Sequence, residues 1–512
     1  MNVLATIFNF ISQQILNVPA YIIGLVAAVG LIALKKNVGQ IISGALKAAM
    51  GYLILQAGAS VVSGSLNPFG QLILKATGAH GAIATNEVIV AQAAKDFGAS
   101  SAYIVVISFV LMLLLARFTP LKYVFLTGHH MVFMSTLLAL VLSFGFGAKN
   151  SWLVVGLGAI LMAVIMVATP SFAQPFMNRI TGSDQIAIGH FGTLSYVVSG
   201  ALGTVVGKKS KSTEDINFSK NTSFLRDSMV STTVLMIVLY LVFAVIGAFA
   251  LPAKVAFSVF PSAPKDYGAY FMAAFGQALQ FGIGIAIILY GVRLILGELV
   301  PAFQGIAKKV VPGAKPALDI PIVFPYGSNA SLIGFLSSFV GGLVALAVIA
   351  VWLGPMWGLA LILPVPHFFG GGGAGVFGNA TGGRKGAILG GFVTGIIITI
   401  LPAMLMTVMG SYGLKNATFS DSDFCWYGLI AGKLSSFGPV AGTISLLIVA
   451  AVIFGLACLW QVKVVNKGWV PGAAHAAFIE SVKKQEDAER EAERAAEKAA
   501  KKAAKAAAAA KA

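Results

Sequence analysis

The chain has 512 residues, of which 58% are hydrophobic and only 10% charged, and its mean hydropathy is +0.88. Soluble domains carry about a quarter charged residues, so this composition excludes a globular enzyme and requires a polytopic membrane protein. The net charge of +17 would suit nucleic acid, but the basic residues cluster between apolar runs, at Lys35-Lys36, Lys208-Lys209-Lys211 and Arg384-Lys385. The excess of Lys and Arg in cytoplasmic loops produces that distribution, so membrane lipid and no nucleic-acid partner is expected.

The first twenty residues lack a basic n-region and a small-residue cleavage site, and do not read as a cleaved signal peptide. A first span is predicted from about Val18 to Leu34. It stops at Lys35-Lys36, which places that end in the cytoplasm and the N-terminus outside. Ile41 to Val62 is apolar but carries Lys47, Gln56 and a run of small residues that would let helices approach closely. Asn67 to Ala99 is too polar and Gly-rich for a lipid-facing helix, and reads as a re-entrant hairpin. Ala102 to Ala116 is a clean span. His129 and His130 head another that reaches Phe146, and Trp152 to Ala168 spans again. Pro170 to Val206 is interrupted and contains His190. Gly207 to Asp227 is polar and basic, a cytoplasmic linker at the midpoint of the chain.

Met229 to Leu251 opens the second half, and Tyr270 to Tyr290 leads into Gly291 to Ala330. That stretch carries Arg293, Glu298, Lys308, Lys309 and Asp319 among glycines and prolines. Charge and broken backbone are tolerated at membrane depth only where protein or a water-filled cavity surrounds them, so the stretch is a candidate substrate pathway, with a cytoplasmic loop as the alternative. Arg293 and Glu298 are five apart, off one helical face, and are expected to pair elsewhere. Leu332 to Leu353 spans, and Trp357 to Pro364 is expected to begin another helix. The four glycines 370 to 373 disfavour a helix interior and suit a backbone bend or close packing; they lack the GK[ST] of a phosphate loop. Ile388 to Met409 and Val440 to Trp460 are the last spans, followed by an Ala/Lys/Glu-rich tail that should be solvated, partly helical and cytoplasmic. Cys425 and Cys458 lie far apart with no ligand spacing, so neither a disulfide framework nor a zinc site is indicated.

The domain reading is a first membrane repeat over 1–206, a linker over 207–227, a second repeat with the last spans over 228–470, and a charged tail over 471–512. Gly51-Tyr-Leu-Ile-Leu is echoed by the Gly291 segment, and Gly78-Ala-His-Gly-Ala-Ile by Gly313-Ala-Lys-Pro-Ala-Leu. Paired interrupted segments in two halves point to a transporter's binding site, and five spans per half would make the halves inverted.

The run GVRxxxxELxxAFxGIxxxxxPGAxxAxD over Gly291 to Asp319, with Asn329-Ala330, resembles the ascorbate-type membrane permease subunit (IIC) of the bacterial phosphotransferase system. LILQAG at Leu53 to Gly58, LTGH at Leu126 to His129 and IGH at Ile188 to His190 also fit, as do elements near Gly375. The resemblance covers most of residues 1 to 465. It implies an all-α homodimer in the inner membrane with about eleven transmembrane segments per subunit, re-entrant hairpins, and a scaffold beside a mobile elevator-type core. It also implies a sugar-like substrate and a cytoplasmic IIB partner, charged through IIA, whose phosphocysteine phosphorylates that substrate. No catalytic residue, cofactor or metal is expected in this chain. The substrate-binding positions it implies are Gln56, Gly58, Asn86, Glu87, His129, Phe133, His190, Phe191 and Asp319. The family has glutamines where this chain has Phe133 and Phe191, and an aromatic at Glu87. Phenylalanine can only stack on an apolar sugar face, and carboxylates disfavour an anionic ligand, so a neutral sugar or polyol is as plausible as ascorbate. Two other classes remain open: an ion-coupled secondary transporter using Asp319 and Glu87, and a membrane-embedded enzyme using the histidines, although no nucleophile constellation or HExxH supports the latter.

Overall fold

The computed structural model describes residues 19–77, 81–84, 86–147, 151–216, 227–353, 359–361, 366–412 and 417–509. The chain is almost wholly helical. Among the described residues, eight helices are long and apolar enough to cross a membrane. The elements are α1 (Pro19–Ala33), α2 (Val38–Thr77), β1 (Gly81–Ala84), α3 (Asn86–Phe118), β2 (Tyr123–Phe125), α4 (Gly128–Phe146), α5 (Ser151–Thr181), β3 (Ala187–Ile188) and α6 (Thr193–Val206). After the linker come α7 (Ser228–Ala250), α8 (Tyr267–Val310), β4 (Lys315–Leu318), a 3-10 turn (Ile320–Tyr326), α9 (Ser328–Val348), β5 (Leu359–Leu361), α10 (Gly372–Leu405), β6 (Ala417–Thr418), α11 (Ser422–Ser435), α12 (Pro439–Trp460) and α13 (Ala473–Ala509).

Local chemistry marks several starts. Asp227 caps α7, accepting from the amides of Met229 and Val230, and α12 has Pro439 in its first turn after Gly438 at φ 88°. Both devices satisfy or remove amides that a helix N-terminus leaves without partners. Helix α4 is apolar all round, with Leu137, Leu138, Leu140 and Leu142 fully buried, as an interior helix must be.

The helices form two groups. In one, α2 and α8 pack along each other, flanked by α1 and α7. In the other, α3, α4, α5 and α12 pack against the assembly of α6, α9, α10 and α11. Glu298 joins α8 to α2 through an ion pair with Lys47 at 3.2 Å, which supplies the separate partner its sequence position required.

Two three-stranded parallel sheets, absent from the sequence expectation, interrupt this helical architecture. Strand β4 lies between β2 and β3, pairing Tyr123–Phe125 with 315–317 and Ala187–Ile188 with 317–318. Strand β1 lies between β5 and β6. Non-helical backbone at membrane depth must find partners for its amides and carbonyls, and these ladders supply them. At the start of β4, Lys315 pairs with Asp184 at 3.2 Å. The Lys315 ammonium holds the Asp184 carboxyl below its usual range.

Several boundaries differ from expectation. Helix α2 continues through Pro68 to Thr77, because Phe69 packs on Tyr240 and Phe243 and the segment is buried against α7. The first interruption therefore begins after 77 rather than at 67. Helix α5 likewise continues through Pro170 and Pro175 to Thr181. Within 357–364, the described residues form β5 rather than a helix. Helix α11 was not anticipated.

The glycine run at 370–373 is helical: a π-helical turn over His367–Gly371 passes into α10. Close packing overrides propensity here, since a Cβ at Gly371 would lie 2.3 Å from Ser338 Cβ. The break comes later, at Gly382 and Gly383. Gly383 has φ 56°, and a Cβ there would meet the carbonyl of Lys211 at 2.4 Å.

Candidate functional site

The three strands β2, β3 and β4 run parallel, so their C-terminal ends lie together, and a polar residue follows each. The ladder extends one bond further on each side. Leu126 N donates to Ala317 O at 2.9 Å, and Gly189 N to Leu318 O at 2.7 Å. A Cβ at Gly189 would lie 2.5 Å from that same Ala317 O, so only glycine allows the approach. These contacts bring His129, His190 and Asp319 together from three distant parts of the sequence.

Asp319 caps the 3-10 turn through a 2.7 Å bond from Ile320 N to Oδ1. Its Oδ2 lies 3.6 Å from His129 Nε2 and its Oδ1 3.8 Å from His190 Nε2. Both separations exceed a direct hydrogen bond, so the carboxylate and imidazoles frame a gap that a ligand hydroxyl or a water can bridge. The Asp319 side chain is 28% exposed, that of His129 14% and that of His190 4%. His190 Nδ1 is bonded to Tyr196 OH at 3.0 Å, so its Nε2 is the free atom. His129 Nδ1 is buried with no hydrogen-bond partner among the described residues.

His130 has a different task. Its Nδ1 accepts the amide hydrogen of Phe191 at 3.2 Å, so the neutral ring carries its proton on Nε2 and presents a donor there. His129, His130 and Asp319 offer ligand atoms within 4.8 Å of one another. That tautomer withholds the His130 lone pair, so the donor set suits hydrogen bonding better than metal coordination. The ring stacks on Phe424 with centroids 5.2 Å apart and lies 3.9 Å from the His190 ring.

Phe133 and Phe191 form the wall behind the histidines. Both are fully buried, Phe191 stacked on Phe125 at 4.8 Å and Phe133 edge-on to His129 at 5.6 Å. Their rings hold the histidines in place and leave the open face to His129 and Asp319. Asn86 follows the end of the other sheet. Its Oδ1 accepts from Ser420 N at 2.9 Å, and its Nδ2 donates to Asp421 Oδ2. Gly58 is buried in the seam between α2 and α8, where a Cβ on Gly284 would approach its carbonyl at 3.1 Å. The side chains of Gln56 and Glu87 lie outside the described residues.

Sequence reasoning missed Asp423. It is buried, and its carboxylate accepts from the amides of Thr193 at 2.9 Å and Leu194 at 3.0 Å and from Trp426 Nε1 at 3.0 Å. Its own amide donates to Phe191 O at 2.9 Å. Asp423 therefore caps α6 from α11 and clamps the loop that carries His190. The signal was available: Asp421-Ser-Asp423 is acidic sequence heading an apolar helix, where charge is costly and retained for a reason.

Comparison with known proteins gives the family of the chain. The family model described as the PTS system sugar-specific permease component matches residues 14–423. The chain belongs to that family. The permease is also 27% identical, over 471 residues, to a protein of Mycoplasma pneumoniae described as the ascorbate-specific PTS system EIIC component. The alignment covers 84% of this chain and 70% of that relative.

Proposed function

We propose that this permease carries ascorbate or a related sugar or polyol, gripping it between Asp319, His129 and His190, with Phe133 and Phe191 supporting the histidines and Gln56, Gly58, Asn86 and Glu87 completing the pocket. The observation that carries the reading is the Asp319 carboxylate 3.6 and 3.8 Å from two imidazole Nε2 atoms. A hydroxyl placed there donates to the carboxylate and accepts from an imidazole N–H. A cytoplasmic IIB protein then transfers phosphate from its cysteine to the substrate, trapping the product inside.

The order of elements supports two inverted repeats within 1–206 and 228–470, joined by the 207–227 linker and followed by the 471–512 tail. Each repeat runs as two long helices, a strand, a helix and then a strand on either side of a helical pair, α4 and α5 in the first and the two halves of α10 about the Gly382–Gly383 break in the second. The central strand of each, β1 or β4, inserts between the two outer strands of the other repeat. The α1, α2, α7 and α8 group then forms the dimerising scaffold, and the remaining helices form the core that moves as an elevator. With eight spans from the described helices and further crossings or hairpins by α1, α2 and α6, the subunit approaches eleven segments, with its N-terminus outside and α13 in the cytoplasm.

Uptake into proteoliposomes containing purified IIB and a phosphoenolpyruvate-driven carrier chain tests the reading. Phosphorylated ascorbate or polyol should accumulate in the compartment that holds IIB, and Asp319→Asn should abolish it without loss of the folded protein. Accumulation of unmodified solute driven by an ion gradient, without IIB, would refute it.

A further inference from the structure

A groove of about 520 Å³ runs along the outer surface of α9 and α10, and none of His129, His190 and Asp319 lines it. Leu336 and Val340 line it from α9, Lys385, Ile388 and Phe392 from α10, and Val206 closes it from the end of α6. Positions four apart on α9, and three then four apart on α10, each occupy one helical face. Both helices belong to spans long and apolar enough to cross the bilayer.

The groove has a direction. Close packing at glycine sets α9 and the part of α10 beyond the Gly382–Gly383 break in parallel: a Cβ on Gly391 would meet Gly334, on Gly395 it would meet Ser338, and on Gly342 it would come within 3.1 Å of Thr399. Lys385 therefore sits level with the first turn of α9. There the amides of Asn329 and Ala330 bind Glu214 of the polar linker. Lys385 N also donates to Ser210 Oγ, and Arg384 N to Lys211 O. From that polar level the groove descends about 10 Å to Phe392, at 1.5 Å per residue. Leu336, Val340 and Ile388 are about half exposed.

The lining selects a chemical class. A free sugar would find almost no hydrogen-bonding partner along an apolar trough, whereas an acyl chain fills it. At the polar end, Lys385 is exposed, in no ion pair among the described residues, with exposed Lys208 and Lys209 on the adjoining loop. Of the acidic residues on that loop, Glu214 is already held by the amides of Asn329 and Ala330, and the exposed Asp215 is outnumbered by Lys208, Lys209, Lys211 and Lys385. The charge at the mouth is thus positive and suits a phosphate monoanion.

We propose that this groove binds an anionic glycerophospholipid, one acyl chain lying between α9 and α10 and the headgroup phosphate on Lys385. Because α9 directly follows the turn that Asp319 caps, the lipid would brace the helix that carries the substrate-binding hairpin.

The test is native mass spectrometry of the full-length permease in detergent, titrated with phosphatidylglycerol or phosphatidylcholine of identical acyl chains. Phosphatidylglycerol should bind about fivefold more tightly, the value of one lysine near an anionic headgroup. Lys385→Ala should remove that preference and Lys385→Glu reverse it, while Lys433→Ala, an exposed lysine on α11, should leave it intact. Val340→Trp should weaken both lipids by filling the trough. Equal binding of the two lipids by the unaltered protein, or a preference that survives Lys385→Glu, would overturn the proposal. So would efficient disulfide cross-linking between copies at Val340→Cys, which would make the groove an interface between subunits. The Lys385 variants alter an exposed side chain, so a failure of Val340→Trp to fold leaves the decision with them.

Discussion

Replacing Asp423 by alanine should destabilise the permease and loosen the His190 loop together. The carboxylate accepts from the buried amide of Thr193 and, in part-buried bonds, from the amide of Leu194 and from Trp426 Nε1. Alanine leaves all three donors without their acceptor. An unsatisfied buried donor costs about 1–3 kcal/mol, and partial relaxation or entry of a water lowers the sum, so a loss on the order of 3–5 kcal/mol is expected. Asp423→Asn keeps one oxygen but turns an N–H₂ toward a donor, and should lose roughly half as much. The Asp423 amide still donates to Phe191 O, so the loop is displaced rather than released. Unfolding titrations in mixed micelles would rank the proteins as unaltered, Asn, then Ala, and substrate affinity should fall in the same order. An Asp423→Ala protein with an unchanged unfolding midpoint would refute the clamp. One destabilised throughout but binding substrate normally would show that the cap serves α6 alone.

Gly395→Ala should separate α9 from α10, because the added Cβ would lie 1.9 Å from Ser338 O, a backbone atom that cannot swing away; a cost of about 1–3 kcal/mol is expected in the same titration. Phe191→Gln, which installs the residue of the ascorbate-type pattern, should destabilise the protein by about 1–3 kcal/mol, since the position is fully buried and stacked on Phe125. Unchanged stability with improved ascorbate binding would instead place that side chain in the substrate pocket. Glu298→Gln should change stability by less than about 1 kcal/mol, because Lys47 is half exposed and its ion pair is screened. The Asp184 carboxyl is held below its usual range by Lys315, so the pair stabilises the fold above the ordinary carboxylate pKa and loses that contribution as pH falls through the lowered value. Asp184→Asn should accordingly cost a few tenths of a kcal/mol near neutral pH, with the difference from the unaltered protein vanishing in acid.

Most spans were legible because an apolar run of membrane length has a single physical reading, and Met229 to Leu251 or Val440 to Trp460 lie within a few residues of their helices. The interruptions were harder. Gly and Pro lower helix propensity by amounts that tertiary burial readily outweighs, so α2 passes Pro68 and α10 starts within the glycine run. Strands of two to four residues leave no periodicity to detect, and their parallel partners lie across the other half of the chain. The meeting of His129, His190 and Asp319 followed from the motif pattern alone, since nothing local in the sequence specifies a ladder joining residues 123–125, 187–188 and 315–318. Asp423 escaped because its task is to hold backbone amides of another helix, a role with no spacing rule.

The exchange of strands has a mechanical consequence for any transport cycle. Asp319 follows a strand of the second half of the chain, held on both sides by strands of the first half that lead to His129 and His190. Asp423 returns the favour from the second half by binding the amides after His190. Separating carboxylate from imidazoles would therefore break a sheet at both edges and expose its backbone groups within the membrane, where each unsatisfied group costs several kcal/mol. Hinging inside the site is thus far more expensive than moving it whole. We accordingly propose that the seam between the two helix groups takes up the motion of a transport cycle, and that substrate gripped by Asp319 travels with both histidines.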